Sequence, residues 1–124
     1  MSVLFLKSYR ELLRYELYFD RKHFGHLYGR VKQCSVSGSQ PGPSGQAEIL
    51  RAMNLACAFY WKRVTCLQRA AATTCLLRKA GIRAELVIGV QTLPYSAHAW
   101  VEVNGLVVDD KSYIPQMYSV ISRC

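Results

Sequence analysis

The chain has 124 residues, with 16 Lys+Arg against 8 Asp+Glu and a formal net charge of +8. Its 51% hydrophobic and 19% charged residues exclude a disordered chain, and its length suits one domain, residues 1–124. No apolar run approaches the roughly 20 residues of a membrane helix, and Val3–Leu6 is cut off by Lys7 and Arg10, too soon for a signal-peptide core, so the chain reads as cytoplasmic.

Residues 2–32 carry a helical pattern. Leu6, Tyr9, Leu13, Leu17, Phe24, Leu27 and Val31 recur at three- and four-residue steps, with a break expected near Asp20–His23. His23 and His26 fall among charged residues and read as surface positions. Residues 34–46 form a Gly/Ser/Pro-rich segment expected to be a flexible loop. Ala47 to about Lys62 returns to helix through Ile49, Met53, Ala56 and Phe59, and 47–124 reads as the core that carries the chemistry.

Cys66–Ala80 is the sharpest helix. Thr65 suits the N-cap and Gly81 the position after the last turn, with Arg78 and Lys79 near the C-terminal end of the dipole. Pairs such as Lys62-Arg63 and Arg78-Lys79 read as solvated helix faces. From Ala84 the period changes. AELVIGV, HAWVEV and LVVDD read as strands, TLPYS and Asn104-Gly105 as turns, and Tyr118–Ile121 as a last short strand. Helices first and strands second describe an α+β fold with an antiparallel sheet.

The charge follows that division. Residues 1–33 carry net +4, residues 47–80 net +5 and residues 81–124 net −1. Basic charge invites a nucleic-acid reading, but no phosphate loop, zinc-finger spacing or RNA-binding aromatic motif accompanies it. Five cysteines, without a secretory signal and without C-x-x-C spacing, argue against a disulfide framework and against a structural metal site. Cys75 reads as core packing, Cys34 and Cys57 have no evident partner, and Cys124 is expected to be exposed.

Cys66 stands apart because it opens a helix, where backbone N–H groups and the dipole favour a thiolate. A nucleophilic cysteine also needs a base and a group to orient that base. His98 starts one strand, and Asp109 and Asp110 end the next. Two hairpin registers are possible. A two-residue type I′ turn at Asn104-Gly105 pairs Val103 with Leu106 and turns Asp110 away from His98. A type I turn with a bulge at Gly105 pairs Glu102 with Leu106 and sets Asp110 directly opposite His98. Local sequence does not choose between them. In the bulged register Asp109 points away, and Trp100 shares the His98 face and could wall a site. Arg69, one turn beyond Cys66, is a second candidate substrate contact.

The stretches CLQRAAATTCLLRKAGIRAELVIGV and PYSAHAWVEVNGLVVDDKSY resemble the transglutaminase-like B2 proteins of lasso peptide biosynthesis. The resemblance runs from about Ile49 to Cys124 and is strongest from Val64 to Tyr113. It implies a transglutaminase-like, papain-like cysteine peptidase core without cofactor, with Cys66 as nucleophile, His98 as general base and Asp110 as orienting carboxylate. That assignment agrees with the bulged register. Asp109 is a departure, since the family pattern often has Asn there, and under the two-residue turn Asp109 rather than Asp110 would lie nearer the His98 face. The activity implied is removal of the leader from a ribosomally made precursor peptide. The partners implied are that precursor, a separate leader-binding protein and a cyclase that joins the new N-terminus to an acidic side chain. At 124 residues the chain is expected to hold the peptidase alone, with the leader-binding protein acting in trans. Two other readings stay open on the residues themselves: a transamidase using the same three side chains, and a non-catalytic basic binding module.

Overall fold

A computed structural model of the chain describes residues 3–20, 31, 34, 45–60, 64–92, 95–110 and 113–124. The elements run α1 (Val3–Asp20), α2 (Gly45–Ala58), α3 (Cys66–Lys79), β1 (Ala84–Thr92), β2 (Tyr95–Val103), β3 (Leu106–Val107), α4 (Ile114–Met117) and β4 (Ser119–Arg123). Among the described residues, helices precede a four-stranded antiparallel sheet of order β3-β2-β1-β4, the expected α+β arrangement. No described helix is long and apolar enough to cross a membrane.

The first helix is described as far as Asp20; residues 21–23 of the expected break, His23 and His26, and the rest of that pattern apart from Val31 lie outside the described residues. Of the Gly/Ser/Pro-rich segment, residues 35–44 lie outside them too, while α2 starts at Gly45, inside the expected loop. The short helix α4 was not anticipated. Pro115 sits in its first turn, where a missing N–H costs nothing.

Helix α3 is the hub. It packs against α1, α2, β1 and β2, and Gln68 and every residue from Ala70 to Arg78 are buried. Small side chains at Ala70, Ala71 and Ala72, all fully buried, allow that close approach. Thr65 caps the helix as expected, its Oγ1 accepting the Gln68 N–H at 3.2 Å. At the other end Gly81, at φ 89°, lets Gly81 N–H reach Arg78 O and Ile82 N–H reach Leu77 O, closing a Schellman motif.

Strand alternation separates two apolar clusters. Leu86, Ile88, Ala99, Val101 and Val103 join the helices in the main core. Val87 and Trp100 turn to the other face and pack with Ile114.

Several local expectations are corrected. Arg78 is not on a solvated face. It is buried, and its guanidinium donates to Ala84 O at 2.9 Å, Val31 O at 2.7 Å and Cys34 O at 3.0 Å. Those bonds bring Cys34 beside α3, where it forms a disulfide with Cys75 across a Cα separation of 5.8 Å. The contact is 41 residues long in sequence, so no local spacing announces it. Cys124 is half-buried rather than exposed, because its backbone exchanges two 2.9 Å hydrogen bonds with Leu86.

The hairpin takes the register that the resemblance did not favour. Asn104 (φ 54°) and Gly105 (φ 78°) both lie in the left-handed region, the signature of a two-residue type I′ turn, so Val103 pairs with Leu106 and Glu102 with Val107. LVVDD is strand only at Leu106–Val107, and Val108–Asp110 bend away. Residues 93–94, within the expected TLPYS turn, lie outside the described residues, and β2 already starts at Tyr95.

The disulfide gives a direct check. Thiol titration of denatured, unreduced protein should find three thiols, Cys57, Cys66 and Cys124, and five after reduction. Reduction should also lower stability, by up to about 4 kcal/mol in the chain-entropy account of a closed loop of that length.

Candidate functional site

Because β3 is two residues long, the outer edge of β2 has no strand partner around His98 and Ala99 among the described residues. A cavity of about 300 Å³ opens there, lined by Val64, Thr65, Cys66, Arg69, His98, Ala99, Asp109 and Asp110. Cys66 is exposed at the first position of α3. The first turn of a buried helix therefore meets the open edge of the sheet, and the two elements bring a thiol and an imidazole into one cavity.

His98 Nε2 lies 2.7 Å from Asp110 Oδ2, with side chains 24% and 30% exposed. A neutral imidazole that donates through Nε2 to the carboxylate leaves Nδ1 as its acceptor nitrogen. The ring is also held by packing. It stacks on Trp100 (centroids 6.1 Å, interplanar angle 28°) and on Tyr118 (5.4 Å, 26°). Gly89 pairs with His98 across the sheet, and a Cβ there would come within 2.7 Å of Trp100 Cη2 and 2.8 Å of Tyr118 Cβ. Only glycine leaves room for the two rings that back the imidazole.

Trp100 was expected to wall the site. It is fully buried and is not among the residues that line the cavity; it stands behind His98. Its Nε1–H donates to Glu102 Oε2 at 2.8 Å, and Glu102 Oε1 accepts from Arg123 Nη1 at 2.7 Å. Arg123 also lies 3.7 Å from Glu85, which pairs with Glu102 across the strands. One guanidinium thus offsets two adjacent carboxylates, and the Glu102 hydrogen bond raises the Arg123 pKa further.

Arg69 does line the cavity. Its Nη2 donates to Asn54 Oδ1 on α2, and its Nε is buried without a hydrogen-bond partner among the described residues. Asp109 lies on the same wall, and its Oδ1 accepts the Val101 N–H at 2.9 Å. Burial pushes the Asp109 carboxyl above its ordinary range. The Val101 hydrogen bond and the Arg69 charge pull it back, and the neighbouring Asp110 charge adds to the rise. Burial likewise raises the Cys57 thiol, with Arg69 opposing. Neither Asp109 nor Asn54 was singled out as a partner of this wall. The adjacent Asp109-Asp110 pair was the visible signal for the first, and nothing local marked the second. No cluster of metal-ligating side chains occurs among the described residues.

Helices leading into a four-stranded antiparallel sheet agree in fold with the family that this chain matches. Residues 12–123 match the transglutaminase-like superfamily, and the chain belongs to it. It is also 41% identical over 58 residues to the microcin J25-processing protein McjB of Escherichia coli. That stretch covers 47% of this chain and only 28% of McjB, so the chain spans less than a third of this relative. No solved structure matches the chain.

The raised Asp109 pKa has a consequence for stability. A carboxyl whose pKa rises on folding costs nothing below its unfolded pKa, and the cost grows as pH rises from there until it is fully present above its folded pKa. Asp109→Asn keeps a side-chain oxygen and removes that cost. The variant should melt above wild type at pH 7, and thermal melts should show the gap closing as pH falls through the carboxylate range.

Proposed function

We propose that the protein is a cysteine peptidase that removes the leader from a ribosomally made precursor peptide during lasso peptide maturation. The observation that carries this reading is the meeting of Cys66 with the 2.7 Å His98–Asp110 pair at one cavity. The relative named for microcin J25 processing supports the substrate class.

In this mechanism His98 Nδ1 takes the Cys66 proton, and the thiolate attacks the scissile carbonyl carbon. Asp110 holds the ring through Nε2 and stabilises the imidazolium. The tetrahedral intermediate collapses as the C–N bond breaks, and the leaving amine takes its proton from His98. Water, deprotonated by the same ring, then cleaves the thioester and frees Cys66. The Cys66 backbone N–H, at the start of α3, is one donor for the oxyanion. Arg69, on the lining of the same cavity, is the candidate substrate contact. The helical part carries the positive charge, and we assign it to docking, either on a separate leader-binding protein or on an acidic stretch of the precursor. A cyclase would use the freed N-terminus.

Incubation of the precursor and its leader-binding protein with variants tests the reading. Cys66→Ala and His98→Ala should keep the fold and lose cleavage by on the order of a thousandfold or more, while Asp110→Asn retains slow cleavage. Full cleavage by Cys66→Ala would end the peptidase reading. Product mass separates hydrolysis, which adds water, from transfer to an amine. Cleavage should also slow as salt rises, because screening weakens contacts between exposed charges; a salt-independent rate would leave the charge to solubility.

A further inference from the structure

Two adjacent acidic residues end the β2–β3 hairpin, yet only Asp110 meets His98. In a hairpin closed by a two-residue turn the rungs continue without slip. Val101 and Val108 would then exchange both backbone hydrogen bonds, Asp110 would stand opposite Ala99, and its side chain would take the face away from His98. The observed chain departs from that ladder at one point. Val108 N–H donates to Val101 O at 3.0 Å, as a regular rung requires. The reciprocal bond is different, since Val101 N–H donates to Asp109 Oδ1 at 2.9 Å.

We infer that Asp109 is a positioning residue: its carboxylate stands in for the Val108 carbonyl on Val101, bends the chain out of register, and so delivers Asp110 to His98. The observed bend over Val108–Asp110 begins where this substitution occurs. Arg69, on the same cavity wall, lies close enough for its charge to favour ionised Asp109 against burial. Asn54 holds Arg69 from α2. The helical layer thereby supports a hairpin that, among the described residues, has no strand on its outer side. The effect on cleavage rests on the peptidase reading above; the effect on His98 does not.

The test therefore reads geometry as well as activity, on the full-length chain. Amide exchange of Val101 and the ring ¹⁵N signals of His98 are followed by NMR in wild type, Asp109→Ala, Asp109→Asn and Asp110→Ala. Wild-type Val101 should be protected, and His98 should carry its proton on Nε2. Asp109→Ala should speed Val101 exchange by about tenfold or more, the range for a lost hydrogen bond to a charged group. Its His98 signals should match those of Asp110→Ala. Asp109→Asn, which keeps an acceptor oxygen, should restore both signals. In the cleavage assay Asp109→Ala should lower kcat by about tenfold or more with KM little changed, and Asp109→Asn should recover most of it. Unprotected Val101 in wild type, or a wild-type His98 signature in Asp109→Ala, would overturn the inference. If Asp109→Ala does not fold, failure of Asp109→Asn to keep the His98 signature overturns it instead. Loss of that signature in Asp109→Ala, with no leader cleavage even by wild type, would support Asp109 while removing the peptidase reading.

Discussion

The arrangement depends on how deeply α3 is buried. From Ala70 to Arg78 the helix is enclosed by α1, α2 and the sheet, and Gln68 fixes it to α1 through a 2.8 Å bond to Leu12 O. Arg78 secures its far end to three carbonyls, one of them at the start of β1. A buried guanidinium is costly unless hydrogen-bonded, and these partners make its position specific. The first turn stays partly open to solvent, and that turn begins with the exposed Cys66. The thiol that the site needs is thus presented by an element that has little freedom to shift.

The other half of the site is held from behind. His98 lies on the sheet face that does not pack on α3, among Trp100, Tyr118 and the gap left by Gly89. Glu102 and Arg123 fix Trp100 in turn. This polar brace is buried on one side and crosses β2, β1 and β4, so the last strand contributes to the imidazole's position without touching the cavity. Short β3 is equally necessary. A longer strand would cover the edge where the cavity opens and would keep Asp110 in its ladder position, facing away from His98.

Much of this was legible in the sequence, and the failures are instructive. Thr65, Cys66 and Gly81 framed α3 because caps are local chemistry. The change from a helical to a strand period at Ala84 gave the α+β order. Residue order and element ends were enough to single out Cys66, His98 and Asp110, which line one cavity. What escaped was long-range. Arg78 looked like an ordinary cation of a last turn, since its carbonyl partners come from residues 31, 34 and 84. The Cys34–Cys75 disulfide depends on that same convergence. The hairpin erred differently. Asn104-Gly105 signals a type I′ turn, and the structure has one. Local sequence left the two registers open, and the bulged one was favoured only by its agreement with the resemblance. A side chain replacing one rung resolves the conflict, and no backbone pattern foretells that.

The central claim is that His98 makes Cys66 a nucleophile. Competitive alkylation tests it without any precursor. The intact protein is exposed briefly to limiting iodoacetamide at mild pH, and label on Cys57, Cys66 and Cys124 is mapped, with His98→Ala as comparison. Exposure alone favours Cys66 to some degree, so the variant carries the decision. The account predicts label concentrated on Cys66 in wild type and a large fall in that preference in His98→Ala. Equal labelling of Cys66 and Cys124, or a preference unchanged by removal of His98, would contradict it.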